Sequence, residues 1–384
     1  MPDRVAHIST VHVWNDGRIF ERELKTIAHA GFEVVWFAVA DEPNPPELSG
    51  ITLHALPRRR LIHRILQMPS LIRQATSVRA GLYHIHDPEL MPAALLIRAR
   101  TSGLIVYDKH EYQRGRRGLK AMITRLVERV LAPFFDAVVV VECVNVAAEG
   151  GCAEPDLDDV GIGQSAILHL PNYPLELPRS ASDDAFNFDD TLRIVSAGVQ
   201  APERGLWFML DALEEIVRRR REVELTLVGL CHRESDRQSF EQVVNARGLT
   251  AHVRFVGWDR YVPWETVMGT AAGADVGLML MDPRYRLWSN IPTKFYEYMH
   301  LALPFVCTKY SNWSAFTDRF DCGIAVDPLD PVEVADAILD IADDAETYAR
   351  MALNGATAAQ EFTWAAVESR LTGLYEDFGL KTTG

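Results

Sequence analysis

Two stretches in which short apolar runs alternate with helix-patterned segments constrain this chain more than any other feature. Parallel strands cannot be joined by a tight turn and need a helical crossover, so such alternation dictates a parallel sheet with helices on both faces. In the first stretch Val5–Val13, Val34–Val39, Leu82–Ile85, Leu104–Tyr107 and Ala137–Val141 read as strands. Helical spacing covers Arg18–Ala30 and Met122–Leu131. In the second, the strands are Leu192–Ala197, Leu225–Leu230, Val253–Val256, Val276–Met281, Phe305–Cys307 and Ile324–Val326. Helices are expected over Gly205–Arg218, Val262–Ala272, Pro292–His300 and Pro331–Ala342, and one amphipathic helix from Ala345 to Phe378. Between the two stretches, residues 172–192 carry prolines 174 and 178, several acids and no periodicity, the marks of a linker.

The expected organisation is therefore two Rossmann-like doubly wound α/β domains, over residues 1–175 and 192–360, with a linker at 176–191 and a terminal helical segment at 361–384. In such sheets ligands bind at the carboxyl ends of the strands, and two facing domains imply a deep cleft that suits a two-substrate reaction. A chain of 384 residues with 48% hydrophobic and 24% charged residues fits that design and excludes collagen-like, disordered and coiled-coil alternatives. The five cysteines form no C-x-x-C pair, so reduced thiols are expected rather than disulfides or a zinc site. No secretion signal and no run of ~18 apolar residues stand out, so the expected location is cytoplasmic.

Charge is unevenly spread. The formal net charge is −14, which argues against nucleic-acid binding, yet residues 50–130 sum to +10 and the remainder to −24. Arg58, Arg59, Arg60, Arg64, Arg73 and Arg79 interleave with Leu61, Ile62, Ile65 and Leu66 at helical spacing, and Arg114, Arg116, Arg117, Lys120, Arg125 and Arg129 form a second cluster. Segments 58–79 and 114–129 suit either a solvated helix face or peripheral attachment to an anionic membrane on its inner face.

The segment from Asn290 to Val306 carries the most specific chemistry. Pro292 fits the first helical position, and Lys294 and Glu297 share one face of the first turns. A helix start plus a lysine attracts phosphate, and a carboxylate accepts from a ribose diol; the alternative is a plain intrahelical ion pair. His12 and Asp16 flank Gly17, whose lack of a side chain admits close backbone approach to a diphosphate or a simple turn. His86 and His110 lie just beyond predicted strands, His110 between Asp108 and Glu111. Gly161-Ile162-Gly163 follows no strand, and Asp156 and Asp158 sit in an acid cluster, so neither a dinucleotide fingerprint nor a D-x-D metal site is read there.

The 290–306 segment resembles the donor-site motif of retaining GT-B glycosyltransferases of the GT4-like group, (N/P)-x-K-x-x-E-Y-M-x-x-G-x-P. Ile194–Gly205 resembles its G-x-x-x-x-K-G loop, Val228-Gly229 its G-x-G strand end, Phe255-Val256-Gly257 its F-x-G segment, and Ala274–Gly277 its A-D-V strand. In the N-terminal half, His12–Phe20, Phe32–Val34 and Tyr107–Tyr112 resemble the first loop, the G-(H/Y)-E-V strand and the D-x-H-E acceptor loop. The order holds along nearly the whole chain. The resemblance implies a metal-independent, cofactor-free retaining hexosyltransferase-type enzyme that uses a nucleotide-diphosphate sugar as co-substrate. Its acceptor would be a glycan, a lipid-linked glycan or a small metabolite. Implied catalytic residues are His110, Arg204 and Lys294. Implied donor contacts are Gly17, Arg204, Gly229, Gly257, Lys294 and Glu297, and acceptor contacts His12, Asp16, His86, His110 and Glu111. The 361–384 segment would cross back to the N-terminal domain.

The sequence departs from the pattern at Ser289, where many members carry the first carboxylate of a Glu–x7–Glu pair, at Val199, where many carry an arginine, and at Leu303, usually glycine. Arg284 or Arg286 offers substitute charge. These departures keep two alternatives open: a sugar-nucleotide epimerase and a non-catalytic binding scaffold of the same fold.

Overall fold

The computed structural model describes residues 3–40, 48, 50–109, 118–141, 166–176, 191–219, 222–284 and 291–382. They divide into two units. One holds the described residues up to Val141, 166–175 and Trp364 onward; the other holds Glu176 and 191–363.

The first unit is built on a seven-stranded sheet of β1 (Arg4–Val13), β2 (Glu33–Val39), β3 (Ile51–Leu56), β4 (Leu82–Ile85), β5 (Leu104–Lys109), β6 (Ala137–Val140) and β7 (Ala166–His169). The order is β3-β2-β1-β4-β5-β6-β7, and every pairing is parallel. The central strands are buried on both faces because helices cover both. On one face α2 (Leu61–Val78), α3 (Met91–Thr101) and α4 (Leu119–Leu131) pack over Ala6, Ile8, Tyr83, Ile85, Ile105 and Tyr107. On the other lie a π-helical turn (Ile19–Leu24), α1 (Lys25–His29) and α12 (Glu368–Asp377). The helix expected over Arg18–Ala30 thus splits into a wide turn followed by an α-helical one.

The second unit carries a six-stranded parallel sheet of β8 (Leu192–Ala197), β9 (Val223–Val228), β10 (Val253–Val256), β11 (Val276–Met279), β12 (Phe305–Thr308) and β13 (Gly323–Val326), in the order β10-β9-β8-β11-β12-β13. Helices α5 (Leu206–Arg219), α6 (Glu234–Ala246), α7 (Trp264–Ala272), α8 (Thr293–His300), α9 (Ser311–Phe320), α10 (Pro331–Asp343) and α11 (Ala345–Ala359) complete it. Its core joins Leu206, Leu210, Leu213 and Ile216 of α5 to Leu225, Leu227, Val276 and Leu278 of the sheet and to Ile338 and Ile341 of α10. Cys231, Cys307 and Cys322 are buried free thiols.

Two expectations are corrected. The single helix expected from Ala345 to Phe378 is broken into α11, a 3-10 turn at Trp364–Ala366 and α12. The break falls where the chain leaves the second unit for the first. There the Trp364 N–H donates to the Pro174 carbonyl at 2.8 Å and its indole to Thr26 Oγ1 at 2.8 Å, anchors a continuous helix would not supply. Pro292 is the N-cap of α8, in extended backbone at φ −66°, ψ 146°, rather than the first helical residue.

Candidate active site

In the second unit, three neighbouring strands, β8, β9 and β10, each end in a glycine with left-handed backbone: Gly198 at φ +105°, Gly229 at +125° and Gly257 at +69°. The Gly198 N–H donates to the Val228 carbonyl and the Gly229 N–H to that of Val256, both at 2.8 Å, so the sheet ladder continues one residue into the loops. Close packing enforces the glycines. A Cβ on Gly229 would stand 2.0 Å from the Gly198 carbonyl oxygen, and one on Gly198 would stand 2.9 Å from Lys294 Cε.

Lys294 reaches Gly198 because α8 is pinned over the strand ends. Tyr298, fully buried, accepts from the Ala197 N–H at 3.1 Å and donates to the Leu278 carbonyl at 3.2 Å, which fastens the helix to β8 and β11 together. Burial pushes its phenol well up, so it stays neutral. One turn earlier, Lys294 Nζ lies 2.6 Å from Glu297 Oε2, and the Trp264 indole donates to Glu297 Oε1 at 2.9 Å. Glu297 is buried and braced at both oxygens. Trp264 opens α7 and comes from 33 residues away; sequence reading missed it, because no spacing links it to Glu297.

Arg204 ends a 3-10 turn between β8 and α5 and is half-buried. Burial pushes its guanidinium down, against the pull of Glu203, but arginine keeps its charge at any working pH. Gly205 follows at φ +76°, with its Cα against the Leu280 backbone. Val199 is 40% exposed. Arg284 is engaged with Asp282, its Nη2 2.6 Å from Oδ2. Arg286 and Ser289 lie outside the described residues, as do His110 and Glu111.

In the first unit a polar network fills the α12 face of the sheet. The pleat sends His7, His84, His86 and Asp108 to that face. His7 and His84 are register partners on β1 and β4. His7 Nδ1 lies 2.9 Å from His86 Nε2, and the Tyr375 hydroxyl of α12 lies 3.1 Å from His7 Nε2 and 2.7 Å from His84 Nδ1. His86 Nδ1 lies 3.3 Å from Asp108 Oδ2, and the Arg18 guanidinium bridges Asp108 at 3.2 Å and Glu23 at 3.1 Å. All are buried. Burial and then the Asp108 charge push Glu23 well up, whereas burial and then the neighbouring imidazoles push His7 well down. Burial also opposes the Arg18 charge, but Asp108 and Glu23 outweigh it and hold Arg18 above its usual value.

Glu23, His84, His86 and Asp108 hold ligand-type atoms within 4.8 Å of one another. Arg18 already sits against both carboxylates, so a cation would have to displace it. Among the sequence candidates, His86 therefore belongs to this buried network, with none of its side chain exposed.

His12 lies at the end of β1, and Asp16 and Gly17 stand in the loop after it. Asp16 Oδ1 accepts from the Arg18 and Ile19 N–H groups at 2.9 Å and caps the π-helical turn; Oδ2 lies 3.0 Å from His12 Nδ1. Burial opposes the Asp16 charge, yet the His12 contact and these N–H groups hold the carboxyl well below its usual range. Gly17 is exposed, its φ is not left-handed, and a Cβ there would meet nothing within 4 Å. The fold itself does not require glycine at this position. Beside Thr10 a cavity of about 240 Å³ is lined by Arg64, Gln67, Ser70 and Gln74 of α2. A larger one, about 400 Å³, lies at the opposite edge of the second sheet, by Arg193, Glu224 and Arg254 at the strand starts.

Residues 191–344 match the model for the family described as glycosyl transferases group 1. The chain is 26% identical over 208 residues to alpha-D-kanosaminyltransferase of Streptomyces kanamyceticus, a match covering 53% of this chain and 50% of that one. It is 22% identical over 229 residues to D-inositol 3-phosphate glycosyltransferase of Corynebacterium efficiens, covering 59% and 52%. The matches thus span about half the length of these curated relatives. Among solved structures, sucrose-phosphate synthase of Thermosynechococcus elongatus superposes with a TM-score of 0.76 at 17% identity, covering 98% of this chain and 99% of that one. HepE of Anabaena, in complex with UDP and glucose, gives 0.73 at 13%, covering 98% and 100%. The family match thus lies on the second unit, and the two parallel Rossmann-like sheets share the GT-B fold of these solved structures.

Proposed function

We propose that this protein is a retaining, metal-independent glycosyltransferase whose second unit binds a nucleotide-diphosphate sugar and whose first unit binds the acceptor. One observation carries the reading: Lys294, held against Gly198 by the Tyr298 anchor, presents its ammonium beside a braced Glu297 at the ends of β8 and β11. HepE was crystallised with UDP and glucose, which makes a UDP-sugar the first donor to test.

The chemistry follows from charge. Breaking the glycosidic bond leaves negative charge on the diphosphate. Preorganised cations aimed at developing charge are often the largest single term in catalysis. Lys294 supplies one, Arg204 a second, and the start of α8 adds backbone N–H dipoles. Glu297, braced by Lys294 and Trp264, accepts from the ribose diol. Gly229 and Gly257 keep the neighbouring loops low, so the donor approaches backbone rather than side chains. Gly17 remains a proposed donor contact on the resemblance.

His12 and the polar cavity beside Thr10 suit acceptor hydroxyls, and His110 and Glu111 remain proposed acceptor contacts on the resemblance. Asp16 orients His12, and His86 acts through Asp108 as a positioning residue. Retention implies attack on the face that the diphosphate leaves, with a diphosphate oxygen taking the acceptor proton. The direct test is transfer from UDP-, GDP- and dTDP-sugars to an acceptor panel in excess chelator, with the product anomer read by NMR. An α product from an α donor supports the proposal. An inverted product, or activity that chelator abolishes, contradicts it.

A further inference from the structure

The outward face of α4 runs against the ordinary rule for a surface helix, in which the apolar stripe faces the core. Here Leu119, Met122, Ile123, Leu126, Val130 and, just beyond the helix, Phe134 are all exposed, Leu119 by 68% and Leu126 by 60%. Their spacing of three and four residues makes one continuous row. The inner face instead buries Glu128, which accepts from Tyr107 Oη at 2.8 Å and from Lys109 Nζ at 3.1 Å. The helix is thus fixed in this rotation by a buried ion pair and cannot roll its apolar row inward without stranding those charges.

The first turns of α2 repeat the pattern. Leu61, Ile62, Ile65 and Leu66 are exposed, whereas the core contacts of that helix begin only at Met68 and Leu71. α3 packs against both helices, so the two apolar rows belong to the same helical layer of the first unit. Both helices follow parallel strands, and their N-terminal turns rise at the carboxyl edge of the sheet, where His12 and the Thr10 cavity also lie. Cations frame the rows: Arg58, Arg59 and Arg60 immediately precede α2, and Arg129 stands exposed on α4. This is the part of the sequence that sums to +10 in a chain otherwise at −24.

We propose that the outer face of α2 and α4 docks on an anionic lipid bilayer, with the two apolar rows inserted at the headgroup–acyl boundary and the arginines on the lipid charges. Charge selects this occupant. A second copy of the chain presenting the same face would oppose cation to cation, whereas an anionic membrane complements both the apolar rows and their basic frame. Among the described residues no helix is long and apolar enough to cross a membrane, so the attachment is interfacial. The inference goes beyond the proposed activity and does not depend on it.

The test is co-sedimentation of the full chain with sucrose-loaded vesicles of phosphatidylcholine alone and of phosphatidylcholine with 30% phosphatidylglycerol, at low and high salt. Binding is expected only with the anionic vesicles and falls more than tenfold at high salt, as screening of exposed charge requires. Ile123→Glu with Leu126→Glu, and separately Ile62→Glu with Leu66→Glu, should each lower that binding at least tenfold while circular dichroism and nucleoside-diphosphate binding stay unchanged. Since these residues are already exposed, the variants lose no core packing. Equal binding to both vesicle types, or none to either, overturns the proposal. So does light scattering that shows a dimer dispersed by the Ile123→Glu, Leu126→Glu variant, which would assign the face to a second copy.

Discussion

Lys294 and Gly198 are matched in shape: the lysine stem occupies the space that any side chain at 198 would need, with its Cε 2.9 Å from where that Cβ would stand. The consequence is a cation held low over the end of β8, not swinging free on its stem. Lys294→Ala should keep the fold, since Lys294 is half-buried and Trp264 still holds Glu297, and should lower kcat/KM at least ~100-fold, as removal of a preorganised charge-stabilising donor typically does. Steady-state kinetics and a thermal melt of the variant check both halves.

Gly198→Ala attacks the same relationship from the other side. The φ of +105° disfavours any L side chain, and the new methyl displaces Lys294. The expected cost is ~1–3 kcal/mol of stability for the strained backbone. Donor KM should rise as well. Urea unfolding gives the first and titration with nucleoside diphosphate the second.

Gly17 predicts the reverse combination. A side chain there meets open space and no left-handed φ. If Gly17 is the donor contact the resemblance implies, Gly17→Val should melt within a degree or two of the parent and yet lose transfer activity. Unchanged activity would remove Gly17 from the site.

Glu23 makes stability depend on pH in a defined direction. Its carboxyl is raised, first by burial and then by Asp108. A group whose folded value lies above its unfolded one (~4.3 for Glu) contributes fully below the unfolded value. That contribution is lost as pH rises toward the folded value, at no more than ~1.4 kcal/mol per pH unit. Glu23→Gln deletes this titration and keeps the shape. The parent should therefore lose stability relative to the variant as pH is raised from the acid range toward neutrality, measured by urea midpoints; a difference that grows in the parent's favour contradicts the assignment.

Tyr375 ties the last helix to the first sheet through a hydroxyl shared by His7 and His84. Tyr375→Phe should cost ~1–3 kcal/mol, the range for disturbing a buried hydrogen-bonded group. Chemical denaturation checks it.

Strands buried on both faces were the most legible part of the sequence. Ala137–Val140 is an unbroken apolar run, and β11 and β12 are similarly plain. β3 escaped because it is an edge strand in which Thr52 and Ala55 are exposed and His54 half-buried. α6 escaped because only Phe240 and Val244 of its thirteen residues are buried, too few to mark a period. At the site, Lys294 and Glu297 were legible because one helix spaces them. Trp264 was not, because it reaches Glu297 from another helix, and Glu23, His7 and Tyr375 were not, since the register of parallel strands and the return of the chain end bring them together, and none of these leaves a local spacing. The exposed row on α4 was hidden for another reason: a 3.6-residue period says that a helix is amphipathic, not which face the core takes.

The central claim is that the second unit binds a nucleoside diphosphate through Lys294. Thermal unfolding with UDP, GDP, dTDP, CMP, ADP and NAD tests it most directly. At 100 times its dissociation constant a ligand adds ~2.7 kcal/mol of stability. For domains of this size that is a rise of roughly 5–10 °C. The account predicts a selective shift with one nucleoside diphosphate that Lys294→Ala abolishes. No shift with any of them, or a shift with NAD alone, would contradict it.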